Sequence, residues 1–448
     1  MDKNQLLRIL TDWNFWETDL DAGIERPGYL SKFESLLKTN QVTVVTGARR
    51  SGKSYLMRQM VRRLISSGTD KKGTLFINFE DPRLPRLDAR LLQDIYETYV
   101  EYLNPQGKPY IFLDEIQEVA GWEKWVRTMH ELQKSRIVVS GSNAHLLSRE
   151  MSGLLTGRHL DLTVFPLSFE EFLLFREKRP KTPFSFTEEE ITTRRLFREY
   201  LEFGGFPEVA VRQEQRAEIL LTYLSDILKR DIVQRYQIRK KEALNGLARY
   251  YFSNIGHPVT FNSLEKTLTI SADTVEKFSS YLETAYLFFF LKRFSWKVKE
   301  QEKSARKVYT IDNGLMSTAG FKFSQNTGFA MENLVFLQLR REQAGNPGLE
   351  LYHWKDSKGW EVDFVLKENG KVTTLIQVCQ RLDNVQTRKR ELRSLEKAKK
   401  ELGAGKSVIL TEDYEGTEKS ASGGEVRFLP LWKWLVRSKG DVKSVVSS

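Results

Sequence analysis

Residues 41–58 read Gln-Val-Thr-Val-Val-Thr-Gly-Ala-Arg-Arg-Ser-Gly-Lys-Ser-Tyr-Leu-Met-Arg. The β-branched run Val42, Thr43, Val44, Val45, Thr46 reads as a buried strand. A glycine-bounded loop follows, and Tyr55, Leu56 and Met57 open a helix. The loop satisfies G-x-x-x-x-G-K-[ST] between a strand and a helix, the context in which that pattern cradles phosphates. Gly47 and Gly52 permit the tight turn that points successive backbone N–H groups inward. The helix start adds the positive end of its dipole. Gly47, Ala48, Arg49, Arg50, Ser51, Gly52, Lys53, Ser54 and Tyr55 are therefore the expected nucleotide contacts. Lys53 is expected at the β and γ phosphates, and the Ser54 hydroxyl on Mg²⁺. The expected ligand pair is ATP with Mg²⁺.

A phosphate loop needs a second half. Residues 110–113 (Tyr-Ile-Phe-Leu) read as a strand closed by Asp114 and Glu115. Asp114 suits the Mg²⁺ shell, and Glu115 suits a general base acting on water. The alternative is a pair capping the helix that Ile116 opens. Residues 136–140 read as a further strand followed by Gly141, Ser142 and Asn143. Asn143, and less so Ser142, is the candidate γ-phosphate sensor, with a helix N-cap as the competing role. Arg158 follows Gly157 just before the strand 160–165, where it suits either a finger reaching a neighbouring subunit's nucleotide or a surface arginine. Strands and helices alternate through residues 42–165, which predicts an α/β, doubly wound parallel sheet with the nucleotide at the carboxyl ends of the strands.

At 448 residues the chain exceeds one ordinary core. The longest apolar run, residues 285–291, is far too short for a membrane span. The first 20 residues lack the basic start and apolar middle of a secretory signal. The single cysteine, Cys379, excludes an internal disulfide framework and a cysteine-based zinc site. The expectation is a cytoplasmic protein with no membrane contact. Net charge is +11, which suits a polyanionic partner.

The phosphate loop, the strand Ile77-Asn78-Phe79-Glu80-Asp81-Pro82-Arg83-Leu84, the pair in Ile111-Phe112-Leu113-Asp114-Glu115 and the turn Ser140-Gly141-Ser142-Asn143 resemble an AAA-type ATPase family widespread in prokaryotes. Its members carry a C-terminal region resembling PD-(D/E)xK nucleases. Arg49-Arg50 and the turn Phe203-Gly204-Gly205-Phe206-Pro207 belong to the same resemblance. It covers most of the chain, and it implies a regulatory or DNA-remodelling ATPase with an arginine finger at Arg158.

Domain expectations follow: residues 1–166 an ATPase domain, 167–239 a helical lid or connector, 240–322 a winged helix-turn-helix, and 323–448 a nuclease-like domain with a loose tail. A recognition helix is expected to start near Ser271. The basic loop 297–307, with Lys297, Lys299, Lys303, Arg306 and Lys307, is expected to be a wing contacting phosphates. Exposed charge runs and protein-binding winged helices are the alternatives. In the nuclease-like region the resemblance assigns Glu332 and Asp363 to acid positions. Gln377 replaces the second strand acid, and Cys379 stands where the lysine belongs, so weak or absent cleavage is expected. Arg381, Arg388, Lys389, Arg390, Arg393, Lys397, Lys399 and Lys400 form a basic helix suited to a duplex.

The functional expectation is an oligomeric, DNA-binding ATPase that couples ATP hydrolysis to recognition or remodelling of DNA, branched DNA included. A metal-dependent nuclease gated by ATP and an ATP-dependent signalling switch binding a protein are the alternatives.

Overall fold

The computed structural model of the protein describes residues 1–142, 157–178, 187–320, 327–382, 384–419 and 424–437. It divides into two compact units, Met1–Val164 and Phe165–Ser448.

The first unit is built on five parallel strands: β1 (Val42–Thr46), β2 (Thr74–Asn78), β3 (Tyr110–Asp114), β4 (Arg136–Gly141) and β5 (His159–Thr163), in the order β2-β3-β4-β1-β5. Alternate side chains serve opposite faces. Val44, Ile77, Leu113 and Val139 pack with Leu10, Ile95 and Val126 from the helices Lys3–Trp13, Ala89–Leu103 and Trp122–Glu131. Val45, Phe76, Phe112 and Val138 pack with Phe33, Leu56 and Met60 from Pro27–Leu37 and Lys53–Ser66. Both faces are covered, which is why these strands read as continuous apolar runs rather than alternating ones. The carboxyl ends of β1, β3 and β4 lie side by side, as a nucleotide crevice of this architecture requires. The lead-in aromatics serve packing: the Trp16 ring stacks on Tyr99 at 5.8 Å, and its indole N–H donates to the Thr74 carbonyl at 2.8 Å.

The second unit begins with the helices Phe169–Phe175, Thr187–Phe203, Pro207–Val211 and Arg216–Asp226, the last running into a wider π-helical stretch, Ile227–Gln234. The turn at Gly204-Gly205 has a local cause. Gly204 has φ +74°, and a Cβ there would overlap the Asp312 carboxylate. Asp312 accepts the Gly205 N–H at 2.6 Å and the Gly314 N–H at 2.9 Å. Residue 205 is crowded too, by the Leu167 carbonyl.

The segment expected to be a winged helix folds as helices Lys241–Ser253, Phe261–Leu268 and Ala272–Thr284 with a three-stranded antiparallel sheet. Its strands are β6 (Pro258–Val259), β7 (Phe288–Leu291) and β8 (Arg306–Thr310), in the order β6-β8-β7. The basic loop differs from expectation. It forms the short helix Val298–Lys303, where Lys297 pairs with Glu300 at 3.1 Å and Glu302 with Arg306 at 3.3 Å. The Lys297–Glu300 pair, three residues apart, favours that helical turn, while Arg306 lies beyond the helix in β8. The return strand starts at Arg306, earlier than the expected Val308, so Lys307 lies inside β8.

A six-stranded sheet completes the unit: β9 (Leu349–Lys355), β10 (Glu361–Glu368), β11 (Lys371–Cys379), β12 (Lys406–Thr411), β13 (Gly416–Lys419) and β14 (Glu425–Pro430), in the order β13-β14-β12-β11-β10-β9. The apolar residues 428–432, read from sequence as a patch in a loose tail, end β14 and open the helix Leu431–Arg437. They are buried because β14 runs parallel to β12 inside the sheet. Residues of the polar tail from 438 onward lie outside the described residues. The two sheets are stitched together where His353 N–H donates to the Lys292 carbonyl at 3.0 Å and Phe294 N–H donates to the His353 carbonyl at 2.6 Å, while Thr310 N–H ties β8 to the helix Thr327–Gln343 through Asn333 Oδ1 at 2.9 Å. Among the described residues no helix is long and apolar enough to cross a membrane.

Candidate nucleotide site and a buried acid cluster

The loop between β1 and the helix Lys53–Ser66 is held in a conformation that its glycines explain. Gly47 has φ +144°, and a Cβ there would run into the Val164 carbonyl; Gly52 has φ +96°. The loop is braced from behind. Arg26, buried, donates to the Ser51 carbonyl at 3.1 Å, with its guanidinium 4.3 Å over the Tyr29 ring. Gln59 donates to the carbonyls of Ala22 at 2.8 Å and Ile24 at 2.7 Å, which straps that segment to the helix. The Lys53 ammonium lies 3.1 and 3.2 Å from the carbonyls of Gly47 and Ala48 and 3.7 Å from Glu115 Oε1. Tyr55 stands exposed at the start of the helix.

Asp114, at the end of β3, is fully buried. Burial and the neighbouring Glu115 charge push its carboxyl above the ordinary range, while hydroxyl donors on Ser140 and Ser54 and the Lys53 charge favour ionisation. Asn78 donates to Asp114 Oδ2 at 3.0 Å. The Ser140 hydroxyl donates to Asp114 Oδ1 and accepts the Glu115 backbone N–H at 3.0 Å, so one side chain orients both acids. Glu115 sits at φ +53°, a left-handed conformation uncommon outside glycine. It precedes the 3₁₀ turn Ile116–Glu118, and its side chain makes no capping hydrogen bond there; Gln117 Nε2 donates to its Oε2 at 2.5 Å.

The motif after β2 resolves into three tasks. Asn78 reaches Asp114. Glu80 pairs with Arg49 of the phosphate loop, with both guanidinium nitrogens at 3.1 Å from one carboxylate oxygen. Asp81 is held by Arg83 and the Trp13 indole, and the Arg83 hydrogen bonds pull its carboxyl down to about 2. Ser142 is buried next to β4. Asn143 lies outside the described residues. Arg158, about 40% exposed, pairs with Glu131 at 2.9 Å away from the phosphate loop acids. The structure thus gathers Lys53, Ser54, Asp114 and Glu115. It adds Ser140, Asn78, Glu80 and Arg26, which sequence reading left without roles. For Ser140, Asn78 and Glu80 the available signal was a polar type at a strand end within a recognised motif; Arg26, before the helix Pro27–Leu37, carried none.

The second unit holds another cluster. Glu332 comes from the helix Thr327–Gln343, and Glu361 and Asp363 come from β10, whose register with β9 breaks between Val362 and Val365. The Lys307 ammonium lies 3.0 Å from Glu332, 2.7 Å from Glu361 and 2.8 Å from Asp363. Lys307 is only 2% exposed, so it is no phosphate contact; the early start of β8 turns it inward. Gln377 accepts the Asp363 N–H at 3.2 Å and donates to Glu391 at 2.8 Å. Burial pushes the Cys379 thiol up to about 11, so it stays neutral. Among the described residues no group of three or more His, Cys, Asp or Glu side chains is arranged to hold a metal ion. On the helix Val385–Leu402, Arg388 is paired with Glu418 and Arg390 with Glu391, while Lys389, Arg393 and Lys400 form an exposed stripe. The helix Ala272–Thr284 exposes Asp273, Glu276, Lys277 and Ser280.

Three stretches of the chain match known domain families: an AAA domain over residues 39–173, and two domains of unknown function, DUF8612 over 194–326 and DUF4143 over 327–434. Among solved structures, the Walker-type ATPase paby2304 of Pyrococcus abyssi is 13% identical and covers 66% of this chain and 96% of that one, at a TM-score of 0.44. The Aeropyrum pernix Orc1 protein, solved in complex with DNA, is 13% identical over 70% of this chain and 94% of that one, at a TM-score of 0.30. Sequence relatives are much nearer. The Haemophilus influenzae relative is 32% identical over 358 residues, 78% of this chain and 86% of its own length. The Methanocaldococcus jannaschii protein MJ1544 is 33% identical over 413 residues, 90% of this chain and 89% of its own. With an AAA domain at its N-terminal side and this identity along nearly its whole length, the chain belongs to the family of MJ1544 and its Haemophilus influenzae relative.

Proposed function

We propose that the protein binds and hydrolyses ATP in its first unit and uses that cycle to control a nucleic-acid-holding second unit. The observation carrying this reading is the convergence of Lys53, Ser54, Asp114 and Glu115, with both acids oriented by Ser140. The hard oxygen donors Ser54 and Asp114 fit Mg²⁺. When bound there, that ion neutralises charge between the β and γ phosphates. Lys53 offsets phosphate charge. Glu115 orients the attacking water and accepts its proton, which its position beside Lys53 and its left-handed backbone favour. Asn143 is assigned to the γ-phosphate, and Arg158 to the nucleotide of a neighbouring copy in an oligomer.

For nucleic acid, the stripe Lys389, Arg393 and Lys400 is the better support, since phosphates attract exposed cations. The helix Ala272–Thr284 suits a phosphate backbone poorly, because its exposed face carries more acid than base. That acidic face favours a second reading, a switch that binds a basic protein surface through this helix. Metal-dependent cleavage draws the least support, because Glu332 and Asp363 already hold Lys307.

The test is steady-state ATP hydrolysis by wild type and Glu115→Gln with duplex, single-stranded and four-way-junction DNA. Stimulation by one DNA form, lost in Glu115→Gln and weakened with a shallower salt dependence in Lys389→Glu/Arg393→Glu, is expected. Hydrolysis indifferent to every DNA would move the assignment to the protein-binding switch. No hydrolysis by the wild type would overturn the ATPase reading.

A further inference from the structure

We infer that Lys307 is an internal cation that fills the acidic cradle of Glu332, Glu361 and Asp363 and closes it to divalent metal. The cradle is assembled from distant segments. Lys307 comes from β8 of the three-stranded sheet, two acids from β10 of the six-stranded sheet, and the third from the helix Thr327–Gln343. Its oxygens lie 2.7 to 3.0 Å from the ammonium nitrogen, hydrogen-bond distances. A divalent ion of the magnesium or manganese kind requires oxygens near 2.1 Å, so the cradle is spaced for an ammonium.

Two of the other three oxygens are also spoken for. Glu361 Oε2 accepts from Lys355 at 3.0 Å, and Asp363 Oδ2 accepts the Val378 N–H at 2.9 Å. Glu332 Oε1, besides Lys307, accepts the Tyr309 hydroxyl at 2.7 Å. A pocket of about 440 Å³, lined by Trp360, Glu361, Asp363, Gln377, Arg390 and Glu391, opens on the same acids. An ion entering by that route meets carboxylates already bonded.

Electrostatics explain why the lysine stays. The buried carboxylates of Glu332 and Asp363 and the half-buried one of Glu361 repel one another and cost heavily without a cation between them. Burial works against the Lys307 charge, but Asp363 and Glu332 hold its ammonium well above the ordinary range. Burial and the Lys307 charge push His353 down to about 4, so it brings no second positive charge. The cradle is thus a latch that joins the two sheets of the second unit and keeps the acids from metal chemistry. It is independent of what happens at the phosphate loop.

The test uses the full chain without nucleotide. Mn²⁺ binding is measured by the loss of its free paramagnetic signal in wild type, Asp363→Asn, Lys307→Ala and Lys307→Ala/Asp363→Asn. Lys307→Ala is expected to bind one extra Mn²⁺ per chain, at least about tenfold tighter than the wild type does, and Asp363→Asn is expected to abolish it. Asp363-dependent binding of equal strength in the wild type would overturn the proposal, as would a folded Lys307→Ala that binds nothing extra. Should Lys307→Ala fail to fold, thermal melting of Lys307→Met against Lys307→Met/Asp363→Asn decides. The latch requires the doubly changed protein to be the more stable, and the reverse order refutes it.

Discussion

Replacing Ser140 with alanine isolates the contact on which both acids of the nucleotide site depend. The wild-type hydroxyl donates to Asp114 Oδ1 and accepts the Glu115 N–H, in a place with no access to water. A hydrogen bond to a charged group contributes about 1.5–3 kcal/mol. Losing the donor favours protonated Asp114, whose carboxyl already stands above the ordinary range. One unit of pKa corresponds to about 1.4 kcal/mol, so a further rise of roughly one to two units follows. Because Asp114 must be ionised to work, activity should fall at low pH, and the acid limb should move to higher pH in the variant. The partner behind a metal-holding ligand is typically worth about 10–100-fold in affinity or rate. The assay is kcat and KM for Mg·ATP from about pH 5.5 to 8.5, where acid-base groups of this kind titrate, together with thermal melting. A variant whose melting temperature drops while its acid limb and turnover stay with the wild type would refute the positioning role and leave Ser140 a packing residue.

Two further outcomes are specific. Arg158 and Glu131 are both about 40% exposed, so solvent screening leaves their pair little weight in stability. Arg158→Ala should therefore melt close to the wild type while ATP turnover falls by about 10³-fold or more, as loss of a finger arginine does; unchanged turnover in an assembled oligomer would return Arg158 to the surface. Burial pushes the Asp312 carboxyl up to about 7 against the hydrogen bonds from Gly205, Gly314 and Leu315. The native state then holds its proton more tightly than the unfolded chain, so stability from this residue is present at acid pH and lost as pH rises toward 7. Melting curves across that range should show a shallower decline in Asp312→Asn, and an unchanged slope would contradict the assignment.

Local patterns carried the first unit. The run Val42 to Thr46 is β-branched and buried throughout because β1 is covered on both faces, and the loop after it needs glycine where backbone approaches backbone, as Gly47 approaches Val164. Strand ends bearing Asp114 and Glu115 followed from the same reading. The basic loop 297–307 misled it, because composition does not say which side of a strand a lysine faces. Starting β8 at Arg306 instead of Val308 was enough to turn Lys307 from solvent into the acid cluster.

The phosphate loop, the alternation of strands and helices and the order of elements are legible along the chain, since each depends on neighbours within one or two turns. Which side chains meet depends on the fold. Ser140 reaches Asp114 across 26 residues, Asn78 across 36, and Lys307 reaches Asp363 across 56. Spacing along the chain carries no record of those contacts. They exist because parallel strands bring their carboxyl ends together, and because three carboxylates gathered in one place, two of them buried, require a cation that the fold supplies from elsewhere.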